Sequence, residues 1–154
     1  MDSYKGVKVI YETDLSLINA LYAEGSLELT EFDGRLKLAD QQNLYLILTT
    51  QQLDEDGEKL IQSPASIIVR VFGDKVWKIP ISKDTIVGGV KPRNKEQAMA
   101  LDALTDDRIK AVTLTGPAGT GKTLLTLAAA MSAIESKKYE RIILTRPMTQ
   151  VGKH

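Results

Sequence analysis

Gly116-Pro117-Ala118-Gly119-Thr120-Gly121-Lys122-Thr123 is the stretch whose reading decides the fold of the second half of this 154-residue chain. Its spacing, G-x-x-x-x-G-K-[ST], is that of a loop that curls backbone N–H groups around phosphate. The glycines let the backbone approach where a Cβ would obstruct it. A helix that starts within the loop adds partial positive charge and further donors. Lys122 supplies a full charge for the β and γ phosphates, and the Thr123 hydroxyl suits a Mg²⁺ ligand. The competing reading is a glycine-rich turn that joins a strand to a helix and binds nothing.

The flanks match what such a loop requires. Ala111-Val112-Thr113-Leu114-Thr115 ahead of it predicts a buried strand. An Ala- and Leu-rich helix is expected over about 121–136, and a second strand at Arg141-Ile142-Ile143-Leu144-Thr145. Strand–helix–strand order of this kind predicts a parallel sheet in an α/β domain. Upstream, Asn94 and Gln97 suit a capping box before Ala98, Leu101 and Leu104, which share a helical face. The Gln97 amide also matches N6 and N7 of adenine. On the residues alone, cap and base reader both stand.

Residues 1–82 have a different pattern. A short helix is expected around Leu17, Ile18, Leu21 and Tyr22, capped by Thr13 or Asp14 and ended by Gly25. The apolar run Leu44-Tyr45-Leu46-Ile47-Leu48 has strand length. Ile67 to Phe72 and Lys75 to Ile79 flank Gly73-Asp74, which predicts a tight hairpin. The domain reading is therefore a small, mostly antiparallel β unit with one helix over 1–82. A connector at 83–93 and an incomplete nucleotide-binding domain over 94–154 follow it.

Composition narrows the classes. No apolar run approaches the ~20 residues of a membrane span, and no leader pattern opens the chain, so no membrane partner and a cytoplasmic location are expected. The absence of cysteine excludes disulfides and thiolate metal sites. The zero net charge is divided unevenly: residues 1–90 hold 9 Lys and Arg against 14 Asp and Glu, residues 91–154 hold 11 against 6. A basic second half suits an anionic ligand. Asp54-Glu55-Asp56-Gly57-Glu58 reads as a solvated turn, because its glycine arrives too early for a calcium loop. Phe72 and Trp77 read as core packing, and His154 has no partners for a triad or a metal site.

Lys91-Pro92-Arg93-Asn94-Lys95-Glu96-Gln97, the loop at 116–123, and Thr145-Arg146-Pro147 followed by Val151-Gly152 together resemble the PhoH-like family of P-loop ATPases. The resemblance covers about 90–154 and implies a RecA- or helicase-like P-loop fold. It implies ATP and Mg²⁺ as ligands, adenine reading by Gln97, and a nucleic-acid strand, RNA foremost, beside Arg146. A ring oligomer of the intact protein is also implied. Residues 1–89 look like the segment between a PIN nuclease domain and the ATPase in long family members. After Lys122 no apolar strand ends in Asp, and no arginine finger can be assigned. The expectation is a piece of a longer ATP-dependent RNA helicase or remodeller, inactive by itself. An ATP-dependent assembly switch and a small-molecule kinase are the alternatives.

Overall fold

A computed structural model describes residues 6–148. The chain divides into two compact units, Met1–Ser82 and Lys83–His154. The fold class is α/β, with helices and one five-stranded mixed sheet among the described residues.

In the first unit the two longest apolar runs make the centre of that sheet. Its strands are β1 (Val7–Ile10), β2 (Ser26–Glu28), β3 (Tyr45–Thr49), β4 (Ser66–Phe72) and β5 (Lys75–Lys78), and α1 (Leu15–Glu24) lies between the first two in sequence. The order across the sheet is β1-β3-β4-β5-β2. Three of the pairings are antiparallel and β1 runs parallel to β3. Phe72 pairs with Lys75, so Gly73-Asp74 is the expected two-residue turn, with Gly73 at φ 65. β3 is buried along its whole length, as a strand with neighbours on both sides should be.

Period-2 alternation decides what the sheet buries. Leu46 and Leu48 of β3, Val69 and Val71 of β4 and Val76 of β5 form one cluster with Ile18 and Leu21 of α1. Gly25 ends α1 at φ 82, its N–H donating to the Leu21 carbonyl at 2.8 Å. The expected side-chain cap is not formed. Asp14 makes no cap bond, and the Thr13 hydroxyl donates to the Ile10 carbonyl at 3.0 Å. Tyr22 is 55% exposed, its hydroxyl donating to the Ser66 carbonyl. Trp77 also departs from the core reading: it is 44% exposed, its indole N–H donates to the Phe72 carbonyl, and Lys75 sits over the ring. Trp77 alternates with the buried Val76, which puts it on the other face of the sheet. Residues 54–58 form the expected turn, with Asp54 Oδ1 accepting from the Asp56 and Glu58 N–H groups.

The second unit is built on two helices, α2 (Lys95–Thr105) and α3 (Lys122–Glu135). Ala98, Met99 and Leu101 are buried on α2, and Leu125, Ala128 and Ala129 on α3. Small alanines on that stripe let the two backbones come close. The two expected strands of this unit are overturned. Residues 111–115 and 141–145 form no strand, and the predicted parallel sheet is not formed among the described residues. Ile143 is 81% exposed and Leu144 75%. An apolar run of strand length makes a strand only when a neighbour accepts its backbone hydrogen bonds, and neither run has one. Val151, Gly152 and His154 lie outside the described residues.

Candidate nucleotide-binding site

The glycine loop joins residues 111–115 to α3 and turns at the helix N-terminus. Gly119 lies at φ 80 and Gly121 at φ 86, left-handed conformations that side chains disfavour. Gly121 is the N-cap of α3, and its carbonyl accepts the Leu125 N–H at 2.9 Å. The φ of 86 favours glycine at this position, and a Cβ there would also press on Gln97 Nε2 at 3.2 Å. The Thr120 hydroxyl donates to the Pro117 carbonyl at 2.9 Å and tightens the curl. The Lys122 ammonium donates to the carbonyls of Gly116 and Pro117, the latter at 2.9 Å. Its charge therefore stays over the mouth of the loop. Thr123, one residue into α3, is exposed.

Gln97 joins α2 to this loop. Asn94 Oδ1 accepts the Gln97 N–H at 2.9 Å, the capping bond that the sequence predicts. The return arm of the capping box is displaced by one residue: Gln97 Oε1 accepts from the Arg93 N–H, also at 2.9 Å. Its Nε2 donates to the Thr120 carbonyl at 3.2 Å. One side chain thus ties the chain before α2 to the phosphate-type loop 23 residues later. The capping half of the two sequence readings is formed in altered register, and the amide also borders the loop.

Two cavities meet at Gln97. The larger, about 750 Å³, is walled by Ile86, Val90, Pro92 and Leu124 and bordered by Gly119, Thr120 and Gly121. That volume lies in the upper part of the ~300–1,000 Å³ range of small-molecule sites. The smaller, about 360 Å³, has Leu114, Thr115, Gly116 and Lys122 in its lining, with Glu96 as its one carboxylate.

One wall of the larger cavity is a tight turn within 83–93, the segment that the sequence predicts as a connector. Val87 and Val90 exchange both N–H···O bonds, each 2.9 Å, around Gly88 and Gly89 at φ 53 and 81. Two positive φ values in a two-residue turn are the type I′ pattern. A Cβ on Gly88 would collide with the Ala128 carbonyl, so this turn is seated on α3. Lys83, Ile86 and Leu124 were also missed as lining residues. The double glycine between valines was the available signal for the turn, whereas nothing in the spacing announced Leu124, which is an outward position of an amphipathic helix.

Arg146 is not gathered with the others. It is exposed within 141–148 and lines neither cavity. Among the described residues no group of three or more His, Cys, Asp or Glu is placed to hold a metal ion. No helix of the described residues is long and apolar enough to cross a membrane.

Comparison with known proteins bears on the family of the segment that carries this loop. Residues 89–154 match the family model of PhoH-like proteins. Protein PhoH2 of Thermobispora bispora is 33% identical over 130 residues, 83% of this chain and 30% of that protein. Protein PhoH2 of Bacillus subtilis is 43% identical over 79 residues, 51% of this chain and 18% of its own length. A PhoH-like protein of Mycobacterium leprae is 44% identical over 63 residues, 41% of this chain and 18% of that protein. The chain therefore spans less than a third of the length of these relatives. No solved structure gives a significant match. The family match over 89–154 and these relatives together identify that segment of the chain as a fragment of the PhoH-like family.

Proposed function

We propose that the second unit is the ATP-binding portion of a PhoH-like ATPase that acts on single-stranded nucleic acid, RNA foremost. The observation that carries this reading is Gln97, whose amide borders the P-loop and the larger cavity together. In this reading residues 116–123 hold the triphosphate and the cavity takes the base. The Lys122 ammonium exchanges its two loop carbonyls for phosphate oxygens, and Thr123 gives one oxygen to Mg²⁺. The Gln97 amide meets N6 and N7 of adenine.

The nucleic-acid part rests on the cation excess of residues 91–154 and on the exposure of Arg146. In the same reading the intact protein works in the cytoplasm and assembles as a ring. The test uses the intact protein: ATP turnover with and without single-stranded RNA, beside its Lys122→Ala variant. Turnover that RNA raises and Lys122→Ala abolishes supports the reading. Turnover indifferent to any strand, with partner binding that differs between ATP and ADP, favours an assembly switch.

A further inference from the structure

The larger cavity holds more positive charge than a base pocket calls for. Lys83, Lys91 and Arg93 line it, and no carboxylate does. None of the ion pairs among the described residues involves these three cations. Lys122 belongs to the other side of Gln97, where it faces the loop carbonyls and lines the smaller cavity. A neutral base and ribose answer none of the three charges, and exposed cations gathered along one concave wall favour an anion there.

We infer that the larger cavity takes a nucleotide with a second anionic group on its ribose, gripped by Lys83, Lys91 and Arg93 apart from the triphosphate at Lys122. This rests on the nucleotide reading above and adds the substrate class. The base lies against Ile86, Val90 and Leu124, and the sugar edge faces the cations. The Arg93 guanidinium suits bidentate contact with a phosphate, while Lys83 and Lys91 act as point charges. The Val87–Val90 turn, seated on α3 through Gly88, fixes the wall from which Lys91 and Arg93 extend.

The experiment is displacement of a fluorescent ATP analogue from the 154-residue chain by ATP, by ATP with a 3′-phosphate and by ATP with a 2′-phosphate. One of the phosphorylated nucleotides should bind about tenfold more tightly than ATP, the gain expected of one charge-assisted contact. In the Lys91→Ala/Arg93→Ala variant that ratio should fall to about one, whatever happens to ATP itself. In Gln97→Ala the ratio should persist. A 5′-triphosphorylated dinucleotide, whose first ribose carries the same phosphate as a linkage, separates the sources. Binding above 3′-phospho-ATP assigns the site to an RNA 5′ end, and binding below it to a free nucleotide. ATP bound in a Lys122-dependent way, with no gain from either added phosphate, overturns this inference and leaves the ATP reading in place. Failure of the chain to bind ATP or its phosphorylated forms overturns both.

Discussion

Gln97 Nε2 donates to the carbonyl of Thr120 across 3.2 Å, so a side chain in the first turn of α2 holds the phosphate-type loop directly. Gln97 Oε1 meanwhile accepts from the Arg93 N–H. Adenine reading has to share or exchange these two bonds. Gln97→Ala should therefore weaken every triphosphate somewhat, through the loop, and ATP more than GTP, through the base. The expected difference is about tenfold, one hydrogen-bonded contact, read by competition between the two nucleotides. Equal losses would show that Gln97 is a cap and a loop tie only.

Gly88→Ala should destabilise the second unit selectively. The φ of 53 disfavours a side chain, and the Ala128 carbonyl occupies the space a Cβ needs. A loss of roughly 2–4 kcal/mol is expected from strain and overpacking together. Trp77, the sole tryptophan, belongs to the first unit and reports on it. The helical circular dichroism should soften at lower temperature in Gly88→Ala while the Trp77 fluorescence transition stays in place.

Leu21→Ala tests the other unit with the same two signals. Leu21 is fully buried between α1 and the sheet, so a cavity should cost about 2–5 kcal/mol. The Trp77 transition should move down. A Trp77 transition unmoved by Leu21→Ala would contradict the assignment of α1 to this core.

The chain by itself should not turn over ATP steadily. Phosphoryl transfer depends on positioning and on neutralising charge, and Lys122 and Thr123 supply only one side of that. The acids after the loop are Glu135 and Glu140. Glu135 ends α3, which puts it about 20 Å along the helix from Lys122 at 1.5 Å per residue. Glu96 is the one carboxylate on the smaller cavity. Phosphate release at the buffer rate is the expected result. Steady release that Glu96→Gln removes would instead make Glu96 the missing acid.

Much of this was legible, for reasons that differ by region. The hairpin around Gly73-Asp74 and the run at 44–48 are local signals, since turn chemistry and apolar length act within a few residues. The loop at 116–123 stands out in the sequence because Gly116, Gly121, Lys122 and Thr123 each meet a separate steric or charge requirement. β1 and β2 were missed because strands of four and three residues with exposed positions carry almost no pattern of their own. The runs at 111–115 and 141–145 misled for the opposite reason: their apolar content speaks of strands, but pairing comes from neighbours that no local pattern can supply. Gln97 was half legible, because the capping bond is local and the bond to Thr120 spans 23 residues.

The most direct measurement is calorimetric titration of the chain with ATP–Mg²⁺, with and without Lys122→Ala. Lys122 holds a full positive charge against the loop carbonyls, and losing it should remove a charge-assisted contact worth about 1.5–3 kcal/mol. The account predicts saturable binding that weakens by about one to two decades in the variant. The same affinity in both proteins would contradict it, because the triphosphate would then not lie where Gly116 to Thr123 place it.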